Sequence, residues 1–257
     1  MTPSDPCTDV LGVRISAVSL ASATKTVMAW ISNREKRYVV VTGVHGVIEA
    51  QDDPQLKRVL NDAGLNVPDG LPMVWLSKLA GHAHVTRVFG PDFMLSVSDA
   101  LASRGGTAFY YGGAPDVAEE LADTLVKICP GLGTAGVYCP PFRELAPHEE
   151  DEIAGRINRA RPDIVWVGLS TPKQERWMAG FRPLLEAPVL IGVGAAFDYN
   201  TGRIKRAPAW MQKSALEWLF RLLQDPKRLW KRYARNNPLF VYYLLCQKLG
   251  LRDFRER

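Results

Sequence analysis

Short β-branched runs alternate with amphipathic helical stretches from Tyr38 to about residue 197, and this alternation limits the fold more than any other feature of the chain. Tyr38–Thr42 (YVVVT), Leu65–Val67, Val85–Phe89, Thr107–Tyr111, Thr134–Tyr138, Ile164–Gly168 and Val189–Gly194 read as strands. Between them, helices are expected through Val47, Ile48 and Ala50, and over Leu71–Leu79, Pro91–Ala102, Pro115–Cys129, about Pro147–Arg161 and Pro172–Leu185. Regular β-α alternation implies an α/β fold with a mainly parallel sheet covered by helices on both faces.

A chain of 257 residues, 47% apolar and 23% charged, suits one large α/β domain or two small ones. That balance excludes disorder, collagen and a disulfide scaffold. Cys7, Cys129, Cys139 and Cys246 lie far apart with no C-x-x-C pair, which reads as a reduced intracellular protein without structural zinc. The longest apolar run, Leu239–Cys246, is eight residues, whereas a spanning helix needs about twenty. Asp5 and Asp9 precede the first basic residue, Arg14, so the N-terminus is not expected to be a secretory signal.

Charge is unevenly spread. From Arg203 onward there are 14 Lys/Arg against 4 Asp/Glu, a balance of +10 within a total of +5. The same stretch holds 9 of the 24 aromatic residues, more than a solvated tail would need. The chain therefore divides into an α/β body, residues 1–202, and a basic helical appendage, residues 203–257. In the appendage Trp210, Met211, Leu216, Trp218, Leu219, Leu222 and Leu223 recur at helical spacing, and Asp225-Pro226 opens a second helix carrying Leu229, Trp230 and Tyr233. Basic amphipathic helices of this kind suit either an anionic membrane surface or a cap docked on the body, and amphipathicity alone does not choose.

In parallel sheets, ligands bind beyond the carboxyl ends of the strands. Thr42-Gly43, Asp69-Gly70, Gly112-Gly113, Tyr138, Ser170–Gln174 and Gly192–Asp198 all fall there. Gly131–Gly136 matches G-x-G-x-x-G but leads from a helix into a strand, the reverse of a dinucleotide fingerprint, and reads as a loop. Asp69, in Pro-Asp-Gly, is either a turn residue and helix cap or a general base at a strand end. Thr171-Pro172-Lys173-Gln174 fits a capping box with Pro at the first helical position, so Gln174 either satisfies a backbone N–H or faces an anion at a helix N-terminus. Arg87 stands at the end of an expected strand, as a surface ion pair or as a cation facing phosphate. His45, His82, His84 and His148 form no helical metal pair and no Asp-x-Asp occurs, so divalent-metal chemistry is disfavoured.

In this order the segments resemble the WecG/TagA/CpsF family of glycosyltransferases, from about Val39 to Val241. The resemblance rests on Val67–Pro72 (VPDGLP), Arg87–Asp92 (RVFGPD), Gly168–Glu175 (GLSTPKQE) and the block from Gly192 through Arg206-Ala207-Pro208 to Asn237–Phe240. It implies a Rossmann-like fold and inverting transfer of a sugar from a UDP-sugar to a polyprenyl-diphosphate-linked saccharide, at the cytoplasmic membrane face and without a cofactor or metal. By position, Asp69 falls on the family's catalytic base, Arg87 on its diphosphate arginine, and Thr42 and Gln174 on pocket residues. Tyr138 and Asp198 fall in segments near the nucleotide. Many members carry Thr-x-Asn after the first strand; here Thr42-Gly43-Val44-His45 lacks the Asn, and His45 is placed to take over part of its role. The appendage would bring Arg206, Arg221 and Arg228 towards lipid diphosphate and anionic headgroups. A homo-oligomer is compatible with all of this.

Two other classes are weighed against that reading. A nucleotide-dependent oxidoreductase would need a strand–G-x-G-x-x-G–helix unit, which is missing. A nucleic-acid-binding module could use the basic, aromatic appendage but would leave Asp69, Arg87 and Gln174 without a role.

Overall fold

The computed structural model describes residues 6–143 and 145–254. Asp5, and residues 255–257 of the charge count above, lie outside them. The chain begins with a hairpin of β1 (Cys7–Val10) and β2 (Val13–Ser16), followed by α1 (Leu20–Asn33), β3 (Arg37–Thr42), α2 (Val44–Asp52), α3 (Pro54–Asp62), β4 (Leu65–Pro68) and α4 (Leu71–Leu79). Next come α5 (Gly90–Ala102), β5 (Thr107–Gly112), α6 (Val117–Ile128), β6 (Gly133–Tyr138), α7 (Pro147–Ala160), β7 (Ile164–Gly168), α8 (Lys173–Phe181), β8 (Val189–Gly192) and α9 (Ala196–Asn200). The chain then forms α10 (Ala209–Lys213), α11 (Glu217–Gln224) and the long α12 (Pro226–Lys248).

Six strands form one parallel sheet in the order β4-β3-β8-β7-β5-β6. Side chains alternate between two cores, as the period of a pleated strand requires. Val165 and Val167 of β7 face one core while Ile164 and Trp166 face the other; in β5, Phe109 and Tyr111 part from Ala108 and Tyr110 in the same way. Burial on both faces is why these strands are continuous apolar runs. The second core is roofed by α1, α5, α6 and α9. The first is roofed by α2, α3, α7 and α8, and it also takes in Phe240, Cys246 and Phe254 from beyond Arg203.

The α/β architecture expected from the alternation is the one observed. One expected strand is absent: Val85–Phe89 carries no sheet pairing. Val85 and Val88 are buried like residues of a strand, but the backbone runs over the end of β4, to which Val88 N–H donates at the Pro68 carbonyl (2.8 Å). The capping box at Thr171 is also absent. Helix α8 starts at Lys173 with Pro172 as its N-cap residue, so the proline precedes the first helical position and no side chain caps the end.

No described helix is long and apolar enough to cross a membrane.

Candidate active site

Because the sheet is parallel, the loops after all six strands open on one edge. The Asp69 N–H, just past β4, donates to the Thr42 carbonyl at the end of β3 (2.9 Å), which ties the two loops together. Gly70 has φ +85°, a conformation that glycine adopts without strain, and turns the chain sharply into α4. Gly43 lies so close beneath Asp69 that a Cβ there would stand 3.1 Å from its carbonyl oxygen. The glycines on either side of this crossing thus let the two loops meet.

Arg87 does not end a strand, yet the crossing of residues 85–89 over β4 brings it to the site. Its Nε lies 3.5 Å from Asp69 Oδ1, an ion contact rather than a hydrogen bond, and its Nη1 donates to Glu217 Oε2 at 2.6 Å. Asp69 is surrounded by protein but keeps 32% of its side-chain surface open to the cleft. Burial raises its carboxyl above the ordinary aspartate value, with Arg87 opposing that shift and Glu217 adding to it. Burial works against the Arg87 charge, but Asp69 and Glu217 outweigh it and hold the guanidinium protonated.

Aromatic rings carry the wall of the site from the body into the appendage. The Arg87 guanidinium lies over Phe89 (4.2 Å), as does that of Arg206 (5.7 Å), which also pairs with Asp92 (2.6 Å). Phe89 meets Tyr199 edge-on at 5.3 Å, and Arg221 of α11 lies over Tyr199 at 5.4 Å. Arg221, Arg228 and Arg203 all act on Asp198, whose carboxyl burial raises and these cations lower. Arg228 itself pairs with Asp225 at the start of α12.

Beside this cluster lies a buried polar floor. Thr42 is enclosed, with its methyl against Gly46. Gln174 and Glu175 are buried; Gln174 Nε2 and Thr171 Oγ1 both donate to Glu175 Oε1 (3.0 and 2.9 Å). Gln174 therefore does not cap its helix, and its Oε1 has no hydrogen-bond partner among the described residues. Gln174 packs against Gly192, the last residue of β8, where a Cβ would crowd it, and against Gly194 in the loop that follows, which holds φ +51°. Burial and then Arg232 lower the His45 imidazole to about 4, so it is neutral near pH 7, and its Nδ1 accepts from Asn236 Nδ2 of α12 (2.8 Å).

Thus Asp69, Arg87, Thr42, His45, Gln174, Asp198, Arg206, Arg221 and Arg228 belong to one connected region at the strand ends. Tyr138 does not join it. It ends β6, the outermost strand opposite β4, about 24 Å from Asp69 at ordinary strand spacing. There it stacks on Tyr111 (5.8 Å) beneath Arg156. Among the described residues no three His, Cys, Asp or Glu side chains cluster as a metal site. A concavity of about 370 Å³ lined by Arg34, Asn158, Arg161 and Glu186 lies at the other end of the sheet, where strands begin.

Sequence reasoning missed Glu217, Arg232 and Asn236. Signals for them existed. Glu217 stands four residues before Arg221 and so shares its helix face, and Asn236 is a polar residue at helical spacing between Leu229 and Phe240.

Comparison with known proteins bears on the same residues. The model of the glycosyl transferase WecG/TagA/CpsF family matches residues 8–254. The N-acetylglucosaminyldiphosphoundecaprenol N-acetyl-beta-D-mannosaminyltransferase of Bacillus spizizenii is 31% identical over 216 residues, covering 84% of this chain and 81% of its own. The protein of the same name from Bacillus subtilis is 32% identical over 234 residues, covering 88% and 89%. With a family match that runs through both the sheet and the appended helices, the chain belongs to the WecG/TagA/CpsF family of glycosyl transferases.

Proposed function

We propose that the protein transfers a sugar, with inversion, from UDP-N-acetylmannosamine or a related UDP-sugar to a saccharide carried on polyprenyl diphosphate, as a step in building a cell-envelope or exopolysaccharide. The observation that carries this reading is the Asp69 carboxylate set 3.5 Å from the Arg87 guanidinium at the end of β4. The names of the relatives, which specify a mannosaminyl group and a diphosphoundecaprenol acceptor, support the choice of substrates.

In the proposed reaction an acceptor hydroxyl attacks the anomeric carbon from the face opposite the diphosphate. Asp69 takes the hydroxyl proton, the bond from that carbon to the phosphate oxygen breaks, and UDP leaves with the electron pair. One displacement inverts the anomeric centre. A carboxyl raised by burial is a stronger base than an exposed one, and the Arg87 guanidinium beside it favours its charged form, which suits the task. Arg87 neutralises the charge growing on the leaving phosphate, where a fixed cation in a half-dry site acts without reorganisation. Arg221, Arg228 and Arg232 line the appendage side, where the lipid diphosphate of the acceptor would enter. Thr42, His45 and Gln174 would hold the donor sugar, with the free Gln174 Oε1 accepting from a sugar hydroxyl or amide. The exposed Trp210, Trp218 and Trp230, with the basic residues around them, would rest on the anionic cytoplasmic face of the membrane.

The test is Asp69→Asn assayed for transfer to a lipid-linked acceptor in the presence of EDTA. General bases contribute ~10²–10⁴-fold, so the variant should lose at least about a hundredfold in rate with UDP affinity and melting temperature unchanged. A loss below tenfold removes Asp69 from the chemistry. A wild-type enzyme silenced by EDTA and restored by Mg²⁺ removes Arg87 as the sole counter-charge.

A further inference from the structure

Glu217 faces the site from the appendage, and the reaction just described gives it no part. Its carboxylate is largely enclosed (12% of the side chain exposed) and is bonded to Arg87 Nη1 at 2.6 Å, the closest contact either of Arg87's two carboxylate neighbours makes with it. Arg87 presents a fork of five N–H donors, and a diphosphate engages such a fork through two of them at once. Nη1 gives one of its N–H groups to Glu217 and Nε is turned to Asp69, so two of the three guanidinium nitrogens already face a carboxylate before a diphosphate arrives. Glu217 therefore holds a donor of Arg87 that a diphosphate would use. Without any anion, however, a half-buried Arg87 would be poorly compensated.

We propose that Glu217 is a positioning residue that stands in for the donor's diphosphate: it holds Arg87 beside Asp69 in the empty enzyme and gives up Nη1 when the diphosphate arrives. This inference rests on the reading of Arg87 given above.

Two further observations fit an exchange. Arg221, one turn along α11, faces the same space, acting on Asp69 and Tyr199 together with Glu217. Glu followed four residues later by Arg is the favourable order for an intrahelical pair, so a change of Glu217 rotamer moves its charge from Arg87 to Arg221 without exposing it. Two residues before Glu217, Ala215 holds φ +58°, a left-handed conformation that costs a residue with a Cβ about 1 kcal/mol or more. The Glu217–Arg87 bond ties the first turn of α11, just after this strained residue, to the body.

The experiment is calorimetric titration of UDP into the full chain and into Glu217→Gln, Arg87→Ala and the double variant, each checked by thermal unfolding. A carboxylate that merely braced Arg87 would, when removed, leave UDP affinity unchanged or weaken it. A stand-in gives the opposite sign: Glu217→Gln should bind UDP about tenfold more tightly, the order expected for one charge-assisted hydrogen bond no longer in competition. In the Arg87→Ala background the same substitution should change affinity by less than about threefold, because there is no guanidinium left to compete for. Equal or weaker UDP binding by Glu217→Gln overturns the proposal, and so does a full tenfold gain without Arg87, which would reflect general repulsion. Unchanged UDP affinity in Arg87→Ala itself would instead overturn the reading of Arg87, so the two failures are distinct. If Glu217→Gln unfolds, Glu217→Ala read by the same titration decides.

Discussion

The strands of the sheet and the helices after Arg203 use apolar residues in different ways. In β5, β7 and β8 nearly every side chain is enclosed, on one face or the other, by helices that come from the same 200-odd residues of chain. In the appendage no apolar residue of α11 is fully buried, and Leu223 (71%) and Trp230 (53%) stay open to solvent. Yet α12 is not uniform. Its N-terminal half buries Leu229 and meets the body through polar groups, Arg235 with Asp52 and Asn236 with His45, whereas beyond Pro238 it sends Phe240 and Cys246 into the first core. Gln247, near its end, accepts from the Leu11 N–H and donates to Asp9, so the last turn is stitched to the N-terminal hairpin. The difference teaches that the basic segment is two things in sequence: a solvent-facing amphipathic stretch over the active site, and a piece of the body's own core.

The strongest way to break this distinction is to remove a large side chain from each part. Phe240→Ala should cost about 3–5 kcal/mol, the usual price of emptying a buried phenylalanine site. Trp230→Ala should cost under about 0.5 kcal/mol, as surface substitutions do. Denaturant unfolding measures both. Similar costs would show that α12 is docked, or undocked, along its whole length. By the same argument a chain ending at Gly202 loses Phe240, Cys246 and Phe254 together and should fold poorly, so point substitutions are the better probe of the appendage.

The same contrast explains what the sequence could and could not show. Strands enclosed on both faces are continuous β-branched runs, and all but one of the expected strands are present. Val85–Phe89 misleads because burial alone produces that pattern; its backbone makes one bond to the end of β4 instead of a ladder. The hairpin before Tyr38 goes unread because its strands have four residues each and its turn is Leu11-Gly12, both at positive φ, without the Asn-Gly signal. Asp69 and Arg87 are legible as polar residues in strand-end loops and through the family resemblance. The distance between a motif and its partners hides the rest: Glu217 and Asn236 reach the site from helices that sequence patterning can describe but not dock. The Thr171 capping box fails for a local reason, since the Thr171 hydroxyl bonds the carboxylate of Glu175 and not a backbone N–H.

A smaller effect sharpens the membrane side of the comparison. Lys227 and Lys231 are exposed on the solvent half of α12, away from the enclosed Leu229. Each Lys near an anionic leaflet is worth about 1 kcal/mol, so Lys227→Gln/Lys231→Gln should weaken flotation with phosphatidylserine vesicles about thirtyfold at low salt. The melting temperature should not move, because neither side chain touches the core. Binding to neutral vesicles should be weak for both proteins, and added salt should narrow the gap between them by shortening the Debye length. Equal flotation of the variant and the parent would assign the exposed tryptophans and lysines to something other than a membrane.

The smallest effect reports whether body and appendage stay joined at the seam between His45 and Asn236. The imidazole is lowered from 6.5 to about 4, by burial first and by Arg232 next, with Arg235 adding to it and the Thr171 carbonyl opposing. Its neutral Nδ1 accepts from Asn236 Nδ2, a bond that protonation would abolish. The unfolded chain takes up this proton below its own value of 6.5 while the folded chain resists until about 4. Between those values the unfolded state therefore binds more protons, and stability falls as pH falls. The full contribution is present above about pH 6.5. Allowing for the partial exposure of the ring, about 1 kcal/mol should be lost by pH 5.5. His45→Gln has no proton to take up, so its stability curve should be flatter than the parent's over this interval by that amount. If the appendage instead swings free of the body in solution, His45 is solvated, titrates normally, and the two curves run parallel.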